Sequence, residues 1–554
     1  MKLLLLRPRE AVLAHVVTQP CCSDASCVPV CPVNCIHPRP DEPDYATAEM
    51  LYIDPASCID CGACIEACPV DAIAPDYDLT DENLRFTEIN AQYYEDPAHQ
   101  GYPQSPQETS RPRIETTEPG PLRVAVVGSG PAACYAAEDL LTRRGLDVEV
   151  HMFERLPTPW GLVRFGVAPD HQATKSVTRT FARTMGRRGL NVHLNVEVGR
   201  HITHDELLAA HHAVIYAVGA PLDRRLGIPG EDLPGSHAAT AFVGWYNGHP
   251  EFADTTFDLS AERAVVVGNG NVALDVARVL SGDVDDLART DIADHALEAL
   301  AASKIREVVV LGRRGPQHAA YTVPELLGLS HFDVEVHPGH GGLGGAYKTE
   351  LVRELAERPA QGRDKRIVLR YLSSPLEILG EDRVTGLRIG QNSVADGPAR
   401  PTGETEDLEC GLVLRSIGYR GAPLPGLPFD EARGVLPNEG GRVVDPATGS
   451  PTTGVYAAGW IKRGPSGVVG TNRKCAEDTV ALLLEDYLGG RLAAPAGDAG
   501  SLRELIASRQ PLAFGYPGWK AIDVHERATG RNQGRPRVKL VDVQEMLEIV
   551  KRTA

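Results

Sequence analysis

The chain has 554 residues, enough for three or four domains, which excludes a single small binding module. Hydrophobic residues make up 42% and charged residues 23%, a balance that supports several packed cores and excludes wholesale disorder. A formal charge of −18 argues against polyanionic ligands, so neither nucleic acid nor an anionic membrane is an expected partner. The opening MKLLLLRPRE carries an apolar run of four that Arg7, Pro8, Arg9 and Glu10 cut short, too brief for the core of a signal peptide. No later stretch reaches the ~18 apolar residues of a membrane span. A cytoplasmic location is the expectation.

Nine of the twelve cysteines lie between Cys21 and Cys68. Residues 1–95 hold 5 Lys plus Arg against 16 Asp plus Glu, so this segment is a small acidic domain whose cysteines suit metal better than disulfides. Cys58, Cys61, Cys64 and Cys68, followed by Pro69, spell C-x2-C-x2-C-x3-C-P, a run whose fourth thiolate reaches a second iron-sulfur cluster. The frame recurs upstream as Cys21, Asp24, Cys27 and Cys31, followed by Pro32. Structural zinc is the alternative use of paired cysteines, but zinc motifs lack this duplicated frame. Cys22 and Cys35 fall outside it and are read as packed thiols.

Across about residues 12–95 the chain resembles two-cluster bacterial ferredoxins. The resemblance implies one 4Fe-4S cluster on Cys31, Cys58, Cys61 and Cys64, and another cluster on Cys21, Cys27 and Cys68. At the second, Asp24 stands where the family usually has cysteine. A carboxylate holds a soft iron-sulfide core less firmly than thiolate does, so a 3Fe-4S cluster is expected there, the alternative being an Asp24-ligated 4Fe-4S cluster.

Residues 96–120, rich in Pro, Gly, Ser and Thr, read as a linker. Beyond them short Val/Ile runs alternate with helical patterns, the signature of parallel sheets covered by helices. The strand RVAVV runs into Gly128, Gly130 and Ala133 in a G-x-G-x-x-A turn, and the next strand ends in Glu154, placed to accept from a ribose. A second copy has Gly268, Gly270 and Ala273, but its following strand ends in Arg313 and Arg314. Paired guanidiniums suit a 2′-phosphate, so the second site is read for NADPH. A hydride donor beside one-electron clusters calls for a converter between them, and FAD fits the first site. After about Arg491 only one late helix, in LVDVQEMLEIVKR, stands out.

From Leu122 to about Asp523 the chain resembles ferredoxin-NADP reductases of the adrenodoxin reductase type. The carriers are GSGPAA at 128–133, LPTPWGLVRFGVAPDH at 156–171, YAVGA at 216–220, GNGNVALDVAR at 268–278, GRRGP at 312–316, SIGYR at 416–420 and GWIKRGPSGVVGTN at 459–472. The whole resembles the actinobacterial fusions of a ferredoxin with such a reductase. The resemblance implies an α/β chain with two Rossmann-like domains after a small α+β two-cluster domain: 1–95 iron-sulfur, 96–120 linker, 121–225 and 435–490 a discontinuous FAD domain, 226–434 NADP, and 491–554 a tail on the reductase. It implies FAD contacts at Ala132, Glu154, Leu162, Val198, Trp460, Gly467, Val468 and Val469, beside Gly128 and Gly130. For NADP it implies Arg224, Asn269, Gly270, Asn271, Val272, Arg313, Arg314, Glu325 and Gly467. His171 and Asp275 match positions near flavin and nicotinamide, with positioning roles. Basic candidates for docking an acidic ferredoxin are Arg164, Arg179, Arg183, Arg187 and Arg188.

The expected activity is flavin-dependent NADPH:ferredoxin oxidoreduction, serving an external ferredoxin, a cytochrome P450 or another reductive enzyme. The alternative is an electron-wiring subunit like the small subunit of glutamate synthase.

Overall fold

The computed structural model describes residues 14–103, 105, 112–116, 120–339, 347–393, 399–497 and 499–553. The MKLLLLRPRE reading and much of the expected linker lie outside the described residues. Among the described residues, no helix is long and apolar enough to cross a membrane.

The cysteine-rich domain is built from two small antiparallel pairs, His15–Val17 with Ile73–Pro75 and Ile36–His37 with Tyr52–Ile53. A buried asparagine joins them to the helix Arg85–Tyr93. The Asn90 carbonyl oxygen accepts from the amides of Val17 (3.1 Å) and Ile53 (2.9 Å), while its amide donates to the carbonyls of Val17 and Phe86 (both 2.8 Å). Every polar atom of that side chain is thereby satisfied, the condition for burying it. The domain runs past residue 95: Tyr102 stacks on His37 at 3.6 Å, and Asn34 donates to the Pro103 carbonyl at 2.8 Å.

The first large sheet has seven strands in the order Asn438–Glu439, Arg442–Val444, Pro451–Ala457, Ala213–Tyr216, Leu122–Val127, Val148–Glu154 and Leu190–Leu194. From Pro451–Ala457 onward the pairs are parallel. The chain thus leaves this sheet after Tyr216 and returns to it at residue 438. Its core helix Pro131–Leu141 packs along Thr471–Leu488, a contact between segments more than three hundred residues apart.

The second sheet is wholly parallel, in the order Ser236–Ala238, Leu412–Arg415, Arg263–Val267, Glu307–Leu311, Arg366–Arg370 and Asp333–His337. An antiparallel sheet of Ser373–Leu379, Gly386–Ser393 and Arg400–Glu409 covers one face of it, burying Ile378, Leu387, Ile389 and Leu408 on Val265, Val309 and Val368. That cover departs from the purely parallel expectation.

The tail is more than one late helix. It holds Ala499–Arg509, Tyr516–Asn532 and Val543–Thr553, and the middle one buries Trp519, Ile522 and Glu526. The expected docking residue Arg164 is spent here: it is 4% exposed and forms a two-pronged pair with Glu526 at 2.5 and 2.9 Å, so no partner can reach it.

Candidate functional site

Both glycine turns have the geometry a dinucleotide needs. Gly128 has φ +104°, and a Cβ there would fall 2.5 Å from the Ala217 carbonyl oxygen. Gly268 has φ +118°, and its Cβ would fall 2.1 Å from the Ser416 carbonyl oxygen. Only glycine fits either position. Gly130 and Gly270 each stand at the N-terminal edge of an eleven-residue helix, Pro131–Leu141 and Asn271–Ser281, whose free amides suit phosphate.

At the first turn Glu154 closes its strand, accepting from the Ser129 hydroxyl at 2.6 Å and the Leu156 amide at 3.0 Å. Burial raises its pKa, and those bonds work the other way. Ala132 is buried, Leu162 is exposed and Val198 is half-buried in a bridge to Ile202. Trp460 donates to the Ser466 carbonyl at 3.2 Å, which ties it to the loop of Gly467, Val468 and Val469. Gly467 has φ +78°, and Asn472 donates to the Val468 and Val469 carbonyls at 3.3 and 3.0 Å. Gly459, where a Cβ would fall 2.7 Å from Ala132 Cβ, brings this loop's strand end up to the first glycine turn.

At the second turn Asn271 accepts from the Thr322 amide at 2.8 Å, and Tyr321 donates to the Asn269 carbonyl at 2.9 Å. Val272 is half-buried beside them. Arg313 and Arg314 are exposed after the strand Glu307–Leu311, and Arg224, also exposed, reaches the Tyr419 carbonyl at 3.4 Å.

Between the two turns lies a buried ionic group. Arg278 donates to Asp275 at 2.5 Å, to Asp170 at 2.8 Å, to Glu325 at 2.8 Å and to His171 Nε2 at 2.7 Å. Burial lowers the His171 pKa and the guanidinium lowers it further, so the ring is neutral and accepts at Nε2. Its Nδ1 then carries the proton and faces Glu325 at 3.6 Å. Burial raises the pKa of Asp275, against the pull of Arg278. The ligand atoms of His171, Asp275 and Glu325 lie close enough to hold a metal ion, but Arg278 already supplies the cation there. Arg278 lies one turn after Asp275 in GNGNVALDVAR, so helical spacing alone could have singled it out.

The cysteine loops repeat their backbone. Left-handed residues recur at the same offsets from Cys21 and Cys58: Ser23 with Asp60, Ala25 with Gly62, and Asn34 with Asp71. Asp24 therefore sits at the backbone position that Cys61 holds in the other half. Amides aim at the sulfurs in step, Cys35 at Cys31 (3.4 Å) and Ala72 at Cys68 (3.2 Å), as suits thiolates of an anionic cluster. Cys35 is a packed thiol of the small domain's core, and its place is beside the expected ligands: it lies 3.4 Å from Cys31 Sγ and bonds toward Cys58. The C-x2-C-x2-C-x3-C-P frame gives no signal for it. Cys22 is packed in the reductase core.

The acidic domain is docked across both nucleotide domains. The Gly470 amide donates to the Cys22 carbonyl at 2.7 Å, Ser176 donates to the Pro69 carbonyl at 2.7 Å, and Arg179 pairs with Asp71 at 2.7 Å. On the other side the Val323 amide and Lys348 bind Glu49, at 2.6 and 2.9 Å. Gln19 reaches His171 Nε2 at 3.3 Å, so the acidic domain touches the buried ionic group itself. Arg183, Arg187 and Arg188 are exposed. No local pattern could have flagged Gln19, or Arg473, which donates across to the Ser26 hydroxyl at 2.8 Å.

Two dinucleotide turns in one doubly wound reductase, with an iron-sulfur module seated against the first, define a pyridine-nucleotide-linked electron-transfer flavoprotein. The family model for pyridine nucleotide-disulphide oxidoreductases matches residues 122–310, and that for 4Fe-4S binding domains matches residues 51–74. A "Probable ferredoxin/ferredoxin--NADP reductase" of Mycobacterium tuberculosis is 53% identical over 97% of this chain and 94% of its own length. Its counterpart in Mycobacterium leprae is 49% identical over 97% of this chain and 98% of its own. The solved structure "Mycobacterium tuberculosis FprA in complex with NADPH" aligns at TM-score 0.73 with 48% identity, covering 78% of this chain and all of that one. The chain belongs to the ferredoxin/ferredoxin-NADP reductase family.

Proposed function

We propose that the chain takes reducing equivalents from NADPH at the second glycine turn, passes them through FAD at the first, and delivers them singly through its own iron-sulfur domain to an external acceptor. The hydrogen bond from the Gly470 amide to the Cys22 carbonyl carries this reading, because it joins the loop beside Cys21 to the loop that closes the flavin cradle. FAD held at the first turn would supply the exchange of a hydride for two single electrons, and clusters held by the cysteine loops would supply one-electron acceptors.

The chain's own residues bind and align. Gly130 with the following helix holds one pyrophosphate and the Asn269–Val272 turn the other. Glu154 accepts from the FAD ribose, while Arg313 and Arg314 clamp the 2′-phosphate, with Arg224 at the same end. Leu162, Val198, Trp460 and the Gly467–Val469 backbone wall the flavin. Hydride transfer needs the two rings held about 3–3.5 Å apart and no protein acid or base. His171, Asp275 and Glu325, locked around Arg278, are therefore assigned to positioning.

Cys21 and Cys68 pack against the reductase core, whereas Cys61 is exposed and nearby Ile59 is 58% exposed. Electrons thus enter by the loop carrying Asp24 and leave by the Cys58–Cys64 loop. The acceptor is a redox protein such as a separate ferredoxin, a cytochrome P450 or another reductive enzyme. None of the twelve cysteines is in a disulfide among the described residues, which suits work in the cytoplasm.

The purified chain should reduce cytochrome c with NADPH and no added protein. A version lacking residues 1–119 should keep its ferricyanide activity and lose cytochrome c reduction. Absence of cytochrome c reduction by the full chain would favour the wiring-subunit reading instead.

A further inference from the structure

The Asp24 carboxylate is 5% exposed and both its oxygens are engaged. One accepts from the Ser26 amide at 3.1 Å and the other from the Ser26 hydroxyl at 2.6 Å. The reductase supplies the outer layer. Arg473, on the helix Thr471–Leu488, donates to that Ser26 hydroxyl at 2.8 Å and to the Asp24 carbonyl at 3.2 Å, and its guanidinium lies 3.7 Å from the carboxylate. The approach is close: a Cβ on Gly470 would fall 2.1 Å from the Asp24 amide nitrogen. Yet Asp24 occupies the backbone position that its repeat partner Cys61 uses as a ligand.

We infer that Arg473 gates a ferrous-ion subsite at the cluster of Cys21, Cys27 and Cys68: while the iron-sulfur domain is docked, it holds the Asp24 carboxylate on Ser26 and away from the fourth iron position. The inference rests on the proposed NADPH-fed relay, which supplies the electron the step requires. One electron reduces the three-iron core from +1 to 0. One ferrous ion then binds three core sulfides and the Asp24 carboxylate, giving a four-iron core of charge +2. No bond of the core breaks, and the carboxylate exchanges its contacts with Ser26 and Arg473 for one bond to iron. An oxygen ligand is the weakest of the four, so a competing guanidinium and hydroxyl suffice to decide whether it binds.

The test uses full-length protein carrying its flavin and clusters, treated anaerobically with NADPH and excess ferrous ammonium sulfate, desalted and reoxidised. The readouts are iron per chain and the oxidised-state EPR signal of the three-iron centre. Wild type should stay near seven irons and keep the signal, since a docked three-iron plus a four-iron cluster account for about seven. Arg473→Gln should gain one iron and lose most of the signal, roughly fivefold, because the oxygen ligand is released to bind. Adding Asp24→Asn to it should restore the wild-type result. Ser26→Ala, which frees one carboxylate oxygen and leaves Arg473 in place, should also gain iron, and it serves as the test if Arg473→Gln does not fold. Wild type isolated with eight irons, or equal conversion in wild type and both variants, overturns the gate. Cytochrome c reduction in the same wild-type sample reports separately on the relay.

Discussion

Arg313 and Arg314 form side-chain contacts with no carboxylate among the described residues, and both are exposed at the end of the strand Glu307–Leu311. The proposed function puts the 2′-phosphate of NADPH on these two open guanidiniums. Replacing both by neutral residues removes two charge-assisted contacts of about 1.5–3 kcal/mol each. The kcat/KM for NADPH should collapse while that for NADH stays within a few-fold, and equal loss for both nucleotides would assign the arginines to the shared pyrophosphate or to the fold. Their exposed place at the strand's end was legible because strand and charge follow one another directly in the chain. The strained turns at Gly128 and Gly268 were legible in the same way, each directly following a strand. Gln19 and Arg473 were not, because each acts on a residue that only folding brings to it. Arg164 was misread as a docking residue because its partner Glu526 lies 362 positions away.

The tail shows the same limit for whole elements. The helix Tyr516–Asn532 carries much of its structural role in a buried charge rather than an apolar stripe, and periodicity does not report that. Glu526 is fully buried between Arg164 and Arg537, with pairs at 2.5 and 2.9 Å. Nearby, Lys539 of the tail and Lys175, beside the first large sheet, share Asp291, beside the second, at 3.0 and 2.6 Å. The tail thus clamps the two nucleotide domains together. Removing one member of a buried pair strands its partners at a cost of about 3–5 kcal/mol, so Glu526→Ala should lower the midpoint of urea unfolding followed by flavin release. Burial raises the pKa of Glu526, but Arg164 and Arg537 outweigh it and leave the pKa lowered. A depressed carboxylate pKa stabilises above the unfolded value of about 4.3, and that contribution is lost as the pH falls below it. The difference between wild type and Glu526→Ala should therefore shrink in acid.

At the scale of the molecule, the acidic domain sits where it bridges both nucleotide domains and turns one cysteine loop inward and the other outward. Duplicated cysteine spacing and two glycine turns made the parts readable from the sequence. The docking of the parts was not, since it rests on scattered single contacts such as Arg179 with Asp71 and Lys348 with Glu49. Docking within one chain makes the central claim kinetic: electrons pass from flavin to clusters without a second molecule. Stopped-flow mixing of the full-length protein with NADPH tests this most directly. Flavin absorbance should bleach first and cluster absorbance second, and the rate of the cluster phase should not change with protein concentration. A cluster phase that quickens in proportion to protein concentration would mean transfer between molecules and would contradict the account.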